Sequence, residues 1–243
     1  MPTAPAPTNA QARLFCLPYA GGGAAIYKGW APLAPPALQI AAVQLPGREH
    51  RLAEPAFSGL ETLVPSLLEG IRTHLDRPFA IFGHSMGALI AFELARTLRR
   101  RELPSPAHLF LSGHRAPHLP DRRPPIHALP DAEFWPALRK LGGTPDEVFA
   151  HPELMALIEP ALRADFQLCE TYAWREEPPL DIPLSVFGGS DDPNVERSEL
   201  EAWRDVTRGP VTVEMLPGDH HYLHQAQRLV SAVALSFPAC ANF

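Results

Sequence analysis

A chain of 243 residues with 46% hydrophobic and 20% charged residues has enough apolar material for a sizeable core, which excludes a largely disordered protein. A net charge of −6 withholds the basic face that phosphate neutralisation requires, and no apolar run approaches membrane-spanning length, so nucleic-acid binding and membrane insertion are both disfavoured. Proline is in excess, at 29 residues or about 12%, against a usual level of about 5%.

Residues 1–12, MPTAPAPTNAQA, have neither the basic nor the apolar region of a signal peptide and are expected to form a disordered tail. Residues 13–17 (RLFCL) predict a short buried strand, followed by a glycine-rich turn over 18–25. A second apolar run occupies 38–45 and stops at Pro46-Gly47, and residues 60–75 have helical periodicity with Pro65 near the start. Residues 78–82 (PFAIF) predict a third strand that runs into Gly83-His84-Ser85-Met86-Gly87 and a helix over 88–99. A fourth strand is expected at 108–112. From 115 to about 180 the strand pattern disappears, and short amphipathic segments (132–141, 152–157, 161–172) stand between prolines, which predicts a helical insertion of short pieces. Alternation resumes with strands at 182–187 and 211–216 and helices at 197–205 and 221–237. Strands alternating with helices imply a mostly parallel, doubly wound α/β sheet covered on both faces.

The chemistry concentrates at strand ends. Gly83-His84-Ser85-Met86-Gly87 is a G-x-S-x-G between a strand and a helix, the context in which a sharp turn lifts a serine nucleophile out of the sheet edge. A serine hydroxyl needs a base, and the base needs an orienting carboxylate. Two acids, Asp191 and Asp192, follow the strand at 182–187, and two histidines, His220 and His221, follow the strand at 211–216. Asp192 is preferred, with Asp191 left as a turn or cap residue. His220 is preferred as the base, with His221 expected to pack on the opening of the last helix. The backbone N–H of Met86, directly after the nucleophile, and that of Ala20 in the glycine loop are the candidate oxyanion donors. A phosphate-binding reading of the same loop lacks both the Lys-Ser/Thr of a P-loop and a G-x-G-x-x-G. His220 and His224 have the i, i+4 spacing of metal ligands but no third ligand nearby, so no metal is expected. Cys16, Cys169 and Cys240 are odd in number and lack metal spacing, which fits reduced thiols in a cytoplasmic protein.

Pro18-Tyr19-Ala20-Gly21-Gly22, Gln44-Leu45-Pro46-Gly47-Arg48-Glu49, Gly83-His84-Ser85-Met86-Gly87, residues 189–195 and Pro217-Gly218-Asp219-His220 together resemble the type II thioesterases. These are stand-alone α/β-hydrolases associated with polyketide synthases and nonribosomal peptide synthetases. The resemblance spans residues 14–233, and the Pro-Gly-Arg-Glu segment sets it apart from general esterases and lipases. It implies an α/β-hydrolase core over 13–115 and 181–243 with a mobile helical lid inserted at 116–180. It also implies hydrolysis of acyl groups from the phosphopantetheine arm of acyl or peptidyl carrier protein domains, with no cofactor beyond the arm that the partner carries. Ser85, Asp192 and His220 would form the triad, and Ala20 and Met86 the oxyanion hole. The sequence departs from the family at His221, where an aromatic residue is usual. The same triad could instead serve product release or transfer to another nucleophile, and a non-catalytic carrier-binding module is the alternative from another class. Nothing in the sequence demands more than a monomer.

Other residues read more simply as structure. Cys16 is expected to be a small core residue. Arg48 and Glu49 either face the pantetheine channel or brace their loop as an ion pair. Arg99, Arg100 and Arg101 read as a solvated helix end that complements the helix dipole. Phe134, Trp135, Phe149 and Trp174 are expected to pack within the insertion.

Overall fold

The computed structural model of the protein describes residues 10–236. Residues 1–9 of the expected tail, Phe237 of the last expected helix and Cys240 lie outside the described residues. Six strands form one parallel sheet: β1 (Ala12–Leu17), β2 (Leu38–Ala42), β3 (Phe79–His84), β4 (Leu109–Ser112), β5 (Leu184–Gly189) and β6 (Val211–Leu216). Their order is β2-β1-β3-β4-β5-β6, and every pairing is parallel. The order reverses direction between β1 and β3, the position where open α/β sheets form a crevice at their carboxyl ends.

The central strands are apolar throughout because both faces are covered. Their alternation sorts the side chains into two cores. Phe15, Leu17, Ile81 and Leu111 point to one face and pack with helices α1 (Leu60–Ile71) and α2 (Met86–Arg100). Leu14, Cys16, Phe82 and Phe110 point to the other and pack with Tyr27, Trp30 and helix α7 (Ala226–Ser236). Between β5 and β6 lies the short helix α6 (Arg197–Glu201), opened by a capping box between Glu196 and Glu199.

Between β4 and β5 the chain forms α3 (Asp131–Leu141), α4 (Asp146–Phe149) and α5 (Pro152–Glu170). Phe134, Trp135, Leu138 and Leu162 make a third cluster there, apart from the two sheet cores. Phe149 packs edge-on against Trp135 as expected, but Trp174 does not join this cluster. Trp174 stacks on Phe92 of α2 and lies 4.8 Å from the Arg96 guanidinium, so it belongs to the sheet core.

Several boundaries differ from expectation for physical reasons. Ala12 already opens β1, because its N–H is held by the Ala37 carbonyl. β3 runs on to His84 and α2 begins at Met86, so the strand-to-helix turn is a single residue. The segments 152–157 and 161–172 are one helix that carries Pro160 inside it, and α3 likewise carries Pro136. An interior proline costs about 3 kcal/mol through its missing hydrogen bond. Packing of Ala161, Leu162 and Leu168 beyond Pro160 keeps α5 continuous. Arg100 and Arg101 are exposed as expected of a solvated helix end, and Arg99 and Arg100 also bind Glu177 (2.9 and 2.6 Å), which fastens the segment that leads to β5.

His108, just before β4, stacks on Phe110 at 4.3 Å and bonds through Nε2 to the Ser185 hydroxyl at 2.9 Å. Burial pushes its imidazole down from 6.5 to about 4. Burial likewise pushes His114 down to about 4 and holds His84 well below its ordinary value. The unfolded chain takes up these protons below pH 6.5 while the native state refuses them, so stability present at neutral pH is lost as pH falls from 6.5 towards 4. The urea midpoint is expected to drop between pH 7 and pH 5, with His108 alone contributing on the order of 2 kcal/mol. His108→Gln is expected to flatten that drop, and an equal drop in variant and wild type would contradict the assignment.

Candidate active site

The turn at Ser85 has φ 52° and ψ −117°, a left-handed conformation unusual for a residue with a side chain. Its neighbours make the turn possible. A Cβ on Gly83 would collide with the Gly87 carbonyl, and one on Gly87 with the Leu17 and Pro18 carbonyls, so both positions admit only glycine. The Ser85 N–H is held by the Ser112 carbonyl at 2.7 Å. The hydroxyl therefore stands at the N-terminus of α2, where the helix dipole favours developing negative charge.

The sequence-expected partners converge on it. His220 Nε2 lies 3.0 Å from Ser85 Oγ, and His220 Nδ1 lies 2.6 Å from Asp192 Oδ2. The Asp192 side chain is fully buried, and its second oxygen accepts the Asn194 N–H at 2.8 Å. With Nδ1–H donated to a carboxylate, Nε2 is free to accept the serine proton. Asp191 points elsewhere: it is exposed and accepts the Gly218 N–H at 3.3 Å, bracing the two loops that deliver Asp192 and His220.

The Met86 N–H belongs to the first residue of α2 and has no partner within that helix. Ala20 follows β1 and lines the same two cavities as Ser85 and His220. The larger cavity, about 580 Å³, is walled by apolar side chains of α3 to α5, among them Leu138, Leu141, Ile158, Leu162 and Phe166. The smaller, about 90 Å³, presents Arg115, Asp121 and Glu170 beside Met86. His221 stands at the opening of the closing helical segment with its ring towards the site. Its ring meets Tyr19 edge-on at 5.2 Å and lines the larger cavity.

Arg48 and Glu49 do not pair with each other. Glu49 accepts the Ala25 N–H at 3.0 Å, while Arg48 forms a buried bidentate pair with Asp165 of α5 (2.7 and 2.8 Å). Asp165 went unnoticed in the sequence, although it left a signal: the buried stripe of α5 is Ala161, Leu162, Asp165 and Leu168, a carboxylate at helical spacing among apolar residues.

A second buried chain lies behind the histidine. His84 Nε2 meets the His220 carbonyl at 2.8 Å, and a carbonyl can only accept, so Nε2 carries the proton. Nδ1 then accepts from the Ser112 hydroxyl at 2.8 Å, and that oxygen in turn accepts from the Tyr222 hydroxyl. Burial pushes the Tyr222 phenol up, so it stays protonated as a donor. The chain fixes the backbone of His220 from below.

Among the described residues no group of three His, Cys, Asp or Glu could hold a metal, and the His224 side chain lies outside the described residues. Cys16 and Cys169 are free thiols, with Cys16 buried in β1. Among the described residues no helix is long and apolar enough to cross a membrane.

The thioesterase domain model matches residues 12–237. Linear gramicidin dehydrogenase LgrE of Brevibacillus parabrevis is 46% identical over 93% of this chain and 87% of its own. The name of that relative speaks of a dehydrogenase, but the loop after β1 here has no dinucleotide fingerprint, and the family model across the chain is the thioesterase one. Among solved structures, the thioesterase RedJ of the prodiginine pathway in Streptomyces coelicolor has a TM-score of 0.87 at 40% identity, covering 95% of this chain and 94% of its own. YbtT, a type II thioesterase of the yersiniabactin NRPS/PKS pathway, has a TM-score of 0.88 at 32% identity, covering 99% of this chain and 98% of its own. The fold shared with them is the α/β-hydrolase fold.

Gly87→Ala tests the elbow. With backbone carbonyls in the way of the methyl, the variant is expected to unfold at least about 2 kcal/mol more easily than wild type in urea, where a surface change would stay within about 0.5 kcal/mol.

Proposed function

The chain belongs to the thioesterase family and is a serine hydrolase acting on thioesters; on that premise we propose that it is a type II editing enzyme. It would remove acyl groups from the phosphopantetheine arm of carrier protein domains in polyketide or nonribosomal peptide assembly. The observation that carries this reading is the unbroken line from Asp192 through His220 to Ser85, set between two cavities. YbtT, a type II thioesterase from an NRPS/PKS pathway, supports the carrier-bound substrate. The substrate's own arm supplies the thioester, so the chemistry calls for no cofactor. The free thiols Cys16 and Cys169 support work in the reducing cytoplasm.

The proposed steps use His220 as base and then as acid in each half-reaction. Ser85 Oγ attacks the thioester carbonyl carbon while His220 Nε2 takes the hydroxyl proton. The oxyanion so formed is held by the Ala20 and Met86 N–H groups, and Asp192 stabilises the imidazolium. Collapse breaks the carbon–sulfur bond, and His220 returns its proton to the departing thiolate. Water then attacks the acyl-serine with the same base, releasing the carboxylic acid and restoring Ser85. We read α3 to α5 as the lid, with the apolar cavity beneath it taking the acyl chain.

Intact mass spectrometry of carrier proteins loaded with acetyl, propionyl or longer acyl groups tests the reading. Wild type is expected to strip the acyl group and Ser85→Ala to leave it in place; equal loss with both would sink the serine mechanism. Acyl movement to an added amine in preference to water would replace editing with transfer. Asp192→Asn is expected to lower kcat by about a thousandfold or more through loss of the correct imidazole tautomer, with Asp191→Asn far milder. The reverse order would move the orienting role to Asp191.

A further inference from the structure

We propose that Asp165, on the helix that covers the site, is a positioning residue for the Ala20 oxyanion donor. The inference rests on the functional reading above, and it assigns to α5 a role in the reaction beyond walling the cavity.

The Ala20 N–H lies in the peptide plane it shares with the Tyr19 carbonyl, and the plane after Ala20 fixes the path by which the loop carries that N–H. The plane before Ala20 ends in the Tyr19 carbonyl, which accepts the Gly22 N–H at 2.9 Å. The plane after Ala20 ends in the Gly21 N–H, which donates to Asp165 Oδ2 at 2.7 Å. One plane is therefore held by the loop itself and the other by the covering helix. Gly21 has φ +78°, and a Cβ there would run into the Leu162 side chain, so the loop lies directly on α5 at two points three residues apart.

Asp165 can do this because it is itself immobile. It is 2% exposed, and Arg48 grips both its oxygens, at 2.7 and 2.8 Å. Arg48 in turn donates through Nε to the Pro46 carbonyl at 3.1 Å and through Nη1 to the Gly22 carbonyl at 3.2 Å. Gln44 closes the ring: its amide nitrogen holds the Arg48 carbonyl at 3.2 Å, and its amide oxygen takes the Ala24 N–H at 3.1 Å. The Gln-x-Pro-Gly-Arg segment is thus the frame, Asp165 the peg, and the Ala20 loop the part held in place. A bidentate pair fixes angle as well as distance, which suits a carboxylate that must aim a third hydrogen bond.

The test separates positioning from packing and from stability. Hydrolysis of p-nitrophenyl acetate, too short to need the lid cavity, and of p-nitrophenyl octanoate is measured for wild type, Asp165→Ala, the double variant Arg48→Met with Asp165→Leu, and Ser85→Ala. The double variant replaces the ion pair by apolar groups of similar volume and is expected to keep its thermal unfolding close to wild type. Both Asp165 variants are expected to lose about 10- to 100-fold in kcat on both esters, with KM changed by less than about threefold, the mark of an interaction made in the transition state. Full kcat in either folded variant, or a loss confined to the octanoate, would overturn the proposal. Should the double variant not fold, the Ala variant decides alone. Hydrolysis that survives Ser85→Ala would instead defeat the serine reading, whereas an inactive Ser85→Ala beside fully active Asp165 variants would defeat only this inference.

Discussion

Between the last residue of β3 and the first of α2 the chain has one residue in which to turn from strand into helix, and the backbone of Ser85 takes the strained conformation this requires. Such a conformation costs on the order of 1–3 kcal/mol and persists only where its surroundings determine it. Here the surroundings are three backbone segments in contact: Gly83 against Gly87, Gly87 against the end of β1, and the Ser85 N–H on the end of β4. The consequence reaches beyond the nucleophile. Because the first turn of α2 lies on the carbonyls of Leu17 and Pro18, the loop that carries Ala20 has to leave β1 beside the Met86 N–H. One tight turn thereby brings the Ser85 hydroxyl, the first residue of α2 and the Ala20 loop to the wall of one cavity.

The acid and base arrive by register. β5 and β6 pair so that Gly189 lies opposite Leu216, and the loops carrying Asp192 and His220 therefore leave the sheet at one level. Gly189 has no room for a side chain because the Gly218 and Asp219 carbonyls lie against it, so the two loops are in backbone contact before any catalytic atom meets another. A slip of one residue would turn alternate side chains to the opposite face and separate the pair. The chain from Tyr222 through Ser112 and His84 then holds the His220 carbonyl, and each proton in it has one possible direction. Burial disfavours the charged form of His84, so this support adds no charge beneath the His220 ring.

What was legible in the sequence was whatever a local pattern dictates. The bounds of β6 and the elbow follow from periodicity, glycine placement and turn residues, and these survive folding because each is set by neighbours close along the chain. What was not legible depends on partners distant in sequence. Pro160 reads as a break until the burial of Ala161, Leu162 and Leu168 is weighed against one lost hydrogen bond. The hold of Arg99 and Arg100 on Glu177 is hidden because Glu177 lies far along the chain. Trp174 lies within the expected insertion but is claimed by Phe92 and Arg96 of α2. Asp165 belongs to a middle class, a charge on an apolar stripe, where the sequence shows that a partner must exist without saying which.

The Arg48 and Asp165 pair also bears on how the covering helices are held. The third cluster around Phe134 and Trp135 packs on itself, and such a unit could lift from the sheet at modest cost if only apolar contacts joined them. A buried ion pair changes that balance, because separating its members exposes two charges that must each be rehydrated and leaves the Gly21 N–H without its acceptor. The wall formed by Leu162 and Phe166, beyond Pro160 on the same half of α5 as Asp165, is therefore tied to the loop that bears Ala20. Residues 152–160, before and including that proline, carry no fully buried side chain and bear no comparable tie to the sheet. The half of α5 beyond Pro160 thus joins cover to core, packing on the covering cluster through Leu162 and Phe166 and on the core through Asp165 and Leu168.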